Sequence, residues 1–163
     1  MNPKVRRATA ADAPGLYRAW EALRQYNASL DPRIQPLPVT AAEFAAGLRE
    51  SLGRPNSAAF IAERASTVIG FSSGTIQPNQ PDRLPERLAV VGYLYVVPQE
   101  RRNGLGRQLF EFFAEWARGQ EGVSHVEMPV LAGDVEASAF WQSLGFRPFI
   151  QRLWAPLLAE DGP

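Results

Sequence analysis

The stretch LAVVGYLYVV (88–97) is apolar and runs directly into PQERRNGLGRQLF (98–110), where a glycine-containing turn gives way to a helical pattern. The first segment reads as a long, well-buried strand rich in β-branched and aromatic residues. After the turn, Leu105, Leu109, Phe112, Phe113 and Trp116 recur at i, i+4, i+7, i+8 and i+11, the spacing of a helix packed on a sheet. Another strand-like run, SHVEMPVL (124–131), follows. Strand, helix and strand in that order close as a right-handed crossover with parallel strands. This confines the chain to folds in which helices cover a sheet.

The remaining segments fit such a fold. Val5 to Ala8 reads as a short strand, and Thr9-Ala-Ala-Asp12 has capping-box spacing with Asp in place of Glu. Leu16, Tyr17, Trp20, Leu23 and Asn27 follow at helical spacing. ASLDPRIQPLPV (28–39) reads as a proline-punctuated loop. Thr40-Ala-Ala-Glu43 opens a second helix with Phe44, Leu48 and Leu52 as its stripe, and Gly53-Arg-Pro55 stops it. AAFIAER (58–64) and TVIGFSSGTI (67–76) are separated only by Ala65 and Ser66, which predicts a hairpin. QPNQPDRLPER (77–87) is a polar, proline-rich loop. Asp134 is suited to cap a helix carrying Ala137, Phe140, Trp141 and Leu144, ended by Gly145. RPFIQRLWAPL (147–157) reads as a final strand. The predicted order is β-α-α-β-β-β-α-β-α-β, an α/β (α+β) fold. Its mixed, mostly antiparallel central sheet has six to seven strands, with helices on both faces. No repeat or linker splits the chain, so residues 1–163 are read as one domain.

Composition excludes several chemistries. Lys and Arg total 17, as do Asp and Glu, so no net charge draws the chain to nucleic acid or an anionic membrane. Without cysteine there is no disulfide, thiolate metal site or cysteine nucleophile. His125 is the sole histidine, which removes a multi-histidine metal site. MNPKVRRATAADAPG lacks the apolar core of a signal peptide, and no apolar run approaches membrane-spanning length. A soluble, cytoplasmic protein is the expectation.

Any anion site must therefore come from local clustering, and the turn at 101–107 supplies it. A turn feeding a helix presents unpaired backbone N–H groups, and the helix dipole favours negative charge there. Gly104 and Gly106 leave room for a phosphate at the main chain, and Arg101, Arg102 and Arg107 add charge-assisted donors. The glycines are also explained by a tight turn with arginines in water. Two familiar phosphate loops fail. A Walker loop needs Lys-Ser/Thr where Arg107-Gln108 stand, and the dinucleotide fingerprint needs a small residue where Leu109 stands.

Arg101-Arg-Asn-Gly104-Leu-Gly106 does match the Arg/Gln-x-x-Gly-x-Gly/Ala signature of the GNAT superfamily of acyl-CoA-dependent N-acetyltransferases. The preceding YLYVVPQE resembles that family's fourth strand with its following proline. DVEASAFWQSLGF (134–146) resembles its second motif, Asn-x-x-Ala-x-x-Phe-Tyr-x-x-x-Gly-Phe. The resemblance covers most of the chain and is specific over about residues 88–148. It implies acetyl-CoA as co-substrate, a primary amine as acceptor, and fourth and fifth strands that splay to admit the pantetheine arm. It implies that N–H groups of Arg102, Asn103, Gly104, Leu105, Gly106 and Arg107 hold the pyrophosphate, with Arg101 beside them. Leu94, Tyr95 and Val96 would pair main-chain groups with the arm, one N–H polarising the thioester carbonyl. Asp134 and the Ala137–Trp141 helix would line its other side.

Two residues depart from the family pattern. Asp134 replaces Asn and as a carboxylate cannot donate a hydrogen bond. Trp141 stands where many members have a tyrosine that protonates the leaving thiolate, and indole cannot do so. Protonation is then left to Tyr93 or Tyr95, which share a strand face by parity, to water, or to no dedicated acid. Glu127 resembles a glutamate that some members use as base, and alternation onto a wet strand face explains it equally. His125, Glu86, Asp82 and Glu63 are lesser candidates. The acceptor is open among a small amine or amino acid, a protein N-terminus and a lysine side chain. Loop 77–87 does not carry the acidic charge that a polyamine or aminoglycoside site would need. The alternatives are a degenerate CoA-binding protein of the same fold and a different nucleotide-phosphate binder that uses the same turn. Homodimers are common in the family, and nothing in the sequence decides that point.

Overall fold

In the computed structural model, which describes residues 2–157, the N-terminal helices start where their caps dictate. Strand β1 (Lys4–Arg7) leads to a short 3-10 turn, Ala10–Asp12. There the Thr9 N–H and hydroxyl donate to the Asp12 carboxylate at 2.8 and 2.9 Å. Helix α1 (Ala13–Leu30) follows with a proline in its first turn, where a missing N–H costs nothing. The Thr40 hydroxyl caps α2 (Ala41–Gly53) by accepting from the Glu43 N–H at 3.2 Å, and the Glu43 carboxylate accepts from the Thr40 N–H at 2.7 Å. Leu16, Ala19, Phe44 and Leu48 from these helices pack around Ile61, Phe71 and Tyr95 on one face of a sheet.

The hairpin forms as spaced. Strands β2 (Ser57–Arg64) and β3 (Thr67–Pro78) are joined by Ala65 and Ser66, both left-handed at φ 48° and 63°. β3 pairs antiparallel with β4 (Arg87–Val96). Helix α3 (Leu105–Arg118) crosses over the sheet, and β5 (Val123–Glu127) returns parallel to β4. The five strands lie in sequence order and only the β4–β5 pair is parallel. Leu105, Leu109 and Phe113 of α3 fill the second face, over Ala58, Ile76 and Val91. Helix α4 (Val135–Ser143) joins that layer through Trp141.

Two features of β4 position the site. Its pairing with β5 covers only Arg87 to Val90, so Val91 to Val96 run on with no β5 partner and the two strands part. A bulge also interrupts its register with β3: Gly74 faces Val91 and Ser73 faces Tyr93, which leaves Gly92 over. Ala89 and Val91 consequently point to the α3 layer, whereas Tyr95 points to the α1 layer and Tyr93 packs near Phe71 at 6.3 Å between ring centroids.

The sheet has five strands among the described residues, not six to seven, and residues 147–157 form no strand. A strand needs a neighbouring edge for its ladder. This segment instead lays Phe149 and Trp154 near the guanidinium groups of Arg83 and Arg33, 5.7 and 5.3 Å from the ring centroids, in two loops. β5 ends at Glu127 rather than near Leu131, and Phe112 stays 40% exposed, touching the core only by an edge contact with Phe60.

Candidate active site

The turn after β4 is built from left-handed residues. Arg102 has φ 65° and Gly104, the N-cap of α3, has φ 78°. The first α3 backbone bond runs from the Gln108 N–H to the Gly104 carbonyl, so the N–H groups of Leu105, Gly106 and Arg107 have no partner within the helix. The two glycines serve different ends. Gly104 supplies the conformation, with open space where a Cβ would stand. At Gly106 a Cβ would lie 3.2 Å from the Phe140 ring, so its smallness lets α3 approach α4.

This turn is one wall of a cleft of about 400 Å³. Arg101, Arg102, Gly104, Leu105, Gly106 and Arg107 line that wall. Leu94, Tyr95 and Val96 form a second, and Asp134, Ala137 and Trp141 of the α4 region a third. Of the expected cofactor residues, exposed Asn103 alone does not line the cleft. The arginines are tethered: Arg101 donates through Nε to the Val96 carbonyl at 2.9 Å, and Arg101 and Arg102 each reach the Glu136 carboxylate at 3.3 Å. Arg107 points to the Ser143 carbonyl at 3.5 Å.

Asp134 is buried and accepts from the Ala137 N–H at 2.8 Å and the Tyr26 hydroxyl at 3.2 Å. Burial, then the nearby Asp134 charge and hydrogen bond, raises the Tyr26 phenol above its ordinary value, so it stays protonated at neutral pH. Trp141 is 4% exposed and makes edge contacts with Phe110, Phe140 and Phe146 at centroid distances of 5.5, 5.1 and 4.9 Å. Its indole is a packing element that shows one surface to the cleft.

The proposed acid and base candidates are not brought together in one cavity. Tyr95 lines the cleft and is buried. Tyr93 lines a separate cavity on the α2 side of the sheet and is 41% exposed. Glu127 ends β5 opposite Val90, exposed, and lines neither. His125 is exposed and its Nδ1 lies 2.9 Å from the Ser124 hydroxyl. Among the described residues, no group of three or more His, Cys, Asp or Glu could hold a metal ion.

Sequence reasoning did not place Leu23, Tyr26, Glu136 or Ser143 in the cleft. Glu136 and Ser143 lie within the second motif, where helical periodicity could have placed them. Leu23 and Tyr26 come from α1, far away in sequence, and only the tertiary fold sets them against Asp134 and Tyr95.

The fold is shared with solved structures, acetyltransferases among them. A mutant of the BH1408 protein from Bacillus halodurans superposes with a TM-score of 0.83 at 20% identity, covering 95% of this chain and 99% of that one. An aminoglycoside N-acetyltransferase, AAC(6')-Iy, solved in complex with CoA, gives 0.72 at 18% identity over 95% and 94% of the two chains. Glucosamine-6-phosphate N-acetyltransferase from Arabidopsis thaliana gives 0.69 at 16% identity over 96% and 99%. No curated protein sequence matches. The sequence profile of the acetyltransferase (GNAT) family matches residues 19–146, most of the chain. The chain belongs to the acetyltransferase (GNAT) family.

Proposed function

We propose that the protein is an N-acetyltransferase that moves an acetyl group from acetyl-CoA to a primary amine by direct attack in a ternary complex. One observation carries this reading: the free N–H groups at the start of α3, three arginines and the unpaired edge of β4 converge on one cleft. Such a wall suits a pyrophosphate at one end and an extended amide-bearing arm along the other.

In this reading the turn from Arg102 to Arg107, including Asn103, holds the pyrophosphate, and Arg101 and Arg102 turn to it from Glu136. Main-chain groups of Leu94, Tyr95 and Val96 pair with the pantetheine amides, as an added strand would. Asp134 and Ala137 close the far side, and Trp141 packs against the arm without exchanging a proton. The amine nitrogen attacks the thioester carbonyl carbon, and a β4 N–H stabilises the developing oxyanion. The carbon–sulfur bond then breaks and the sulfur leaves as thiolate. Glu127, which lines neither cavity, takes the amine proton through ordered water, and Tyr93 or Tyr95 supplies one to the thiolate.

The test combines binding and turnover. Calorimetry is expected to show CoA binding to the wild type and at least about a tenfold loss in Gly104→Glu, which sets a carboxylate against the anion. Thiol release from acetyl-CoA over an amine panel is expected to exceed the amine-free rate. CoA binding without amine-dependent release would establish the degenerate, CoA-binding alternative instead. Equal CoA affinity in Gly104→Glu would remove the pyrophosphate assignment.

A further inference from the structure

A second cavity, about 200 Å³, lies on the α1–α2 face of the sheet, between the end of α2 and strands β2 to β4. Its polar lining is almost wholly hydroxyl: Ser51 from α2, Ser57 from β2, Ser73 and Thr75 from β3 and Tyr93 from β4, with the amide of Gln77. No charged side chain among the described residues lines it. Ser51 and Ser57 share a hydrogen bond of 2.7 Å, and Gln77 donates to Thr75 at 2.8 Å. Among the described residues, the Ser73 and Tyr93 hydroxyls have no protein partner and are available to a ligand.

Its place on β4 makes it more than a surface hollow. The strand gives Val90, Gly92 and Tyr93 to this cavity and the next three residues, Leu94, Tyr95 and Val96, to the cleft. The bulge at Gly92 produces the change, because it turns Tyr93 to the α1–α2 face, next to Phe71. Ser73 and Thr75 stand on that face by β3 alternation, opposite Ser72, whose hydroxyl bonds the Leu109 carbonyl beneath the sheet.

We infer that this cavity is the acceptor pocket and that the acceptor is a small primary amine with an uncharged, hydroxylated body, such as an amino sugar or amino alcohol. The inference rests on the acetyl-transfer reading above. The volume corresponds to about seven waters at about 30 Å³ each, enough for a compact polyol and too little for several linked rings. A lining of hydroxyls and one amide offers donors and acceptors in turn, the pattern a polyol needs. A second ammonium would meet no carboxylate, and a phosphate or carboxylate would meet no arginine or lysine. Either would sit as an unpaired charge, which is strongly disfavoured. The pocket thus selects against the polycationic and phosphorylated acceptors named for the structural neighbours.

The experiment has a turnover arm and a binding arm. Glucosamine and serinol are compared with spermidine, glucosamine-6-phosphate, an aminoglycoside and a lysine-bearing peptide, using thiol release from acetyl-CoA. The neutral-bodied amines are expected to show kcat/KM at least about tenfold above the others. Ser73→Val removes a hydroxyl and fills the pocket, and is expected to raise their KM about tenfold with CoA affinity unchanged. Thr75→Val, nearly isosteric, serves if that variant does not fold. A charged amine preferred over both neutral ones, or an unchanged KM in the folded variant, overturns the inference. Calorimetry of glucosamine and serinol on the CoA complex separates the two readings. Binding that Ser73→Val weakens, without turnover, overturns acetyl transfer and keeps the pocket; turnover of other amines with no such binding does the reverse.

Discussion

Glu136 sits in the first turn of α4 and holds Arg101 and Arg102 at 3.3 Å each, at the mouth of the cleft. An incoming pyrophosphate competes with this carboxylate for the same guanidinium groups. Arg102 is 84% exposed and Glu136 45%, so solvent screens both pairs and each is weak. Glu136→Gln is therefore expected to tighten CoA binding by about two- to fivefold at low salt. The gain should shrink at high ionic strength, and calorimetry across a salt series checks both. The arginines were legible in the sequence because they cluster within one turn. Their tether was not, since Glu136 lies 35 and 34 residues further along the chain and only the fold brings it to the turn. Asp134 shows the same limit: its cap on Ala137 follows from local spacing, but its bond with Tyr26 spans more than a hundred residues and needs the fold.

At the level of elements, spacing was a better guide than residue preference. The β2–β3 hairpin follows from a gap of two residues, although Ala65 and Ser66 are poor choices for left-handed backbone. That strain costs about 1 kcal/mol per residue. Replacing the pair by Asn-Gly is expected to raise stability by about 1–2 kcal/mol, read as a higher urea midpoint with an unchanged slope. The Thr40 capping box, the Leu105, Leu109 and Phe113 stripe of α3 and the α4 cap also form where local patterns put them, because each is decided by contacts within a few helical turns. At Thr9 only the Asp12 carboxylate's half of the box forms. Residues 147–157 have the apolar content of a strand. A ladder, however, is made with a neighbour, and the segment's own residues do not encode whether an edge lies within reach. Phe149, Leu153 and Trp154 remain at least 73% exposed there. The bulge in β4 was hidden for a related reason. LAVVGYLYVV has the same composition with or without one residue of slip, and Gly92 alone hints at it.

Across the whole molecule, one ionic cluster ties the first strand to the rest. Arg6 of β1 donates to Asp12, before α1, at 2.8 Å and to Glu63 of β2 at 2.9 Å. The Arg6 hydrogen bond outweighs burial and, with the Thr9 donors, lowers the Asp12 carboxyl from 3.8 to about 2. A carboxylate with a depressed folded pKa stabilises the fold above its unfolded pKa and loses that contribution as the pH falls through its folded one. Asp12→Asn is thus expected to cost on the order of 2–3 kcal/mol at pH 7, because the lowering from 3.8 to about 2 corresponds to about 1.4 kcal/mol for each pKa unit. The gap between wild type and variant should narrow between pH 4 and pH 2, as measured by urea unfolding at each pH. A gap that stays constant across that range would exclude the charge as its source.

The odd residue at Gly92 carries a consequence for how this chain tolerates change. Before it, Ala89 and Val91 belong to the α3 layer; beyond it, Tyr93 and Tyr95 belong to the other. The position works as a frame shift written into the strand. Substitution there is mild, since a methyl group at Gly92 would meet only the Ser73 carbonyl, at 3.7 Å. Deletion joins Val91 to Tyr93, whose partners Gly74 and Ser73 are already adjacent on β3, so the ladder closes and every later β4 residue keeps its side. What deletion removes is the local bend and added twist of the strand, just where β4 runs on beyond β5.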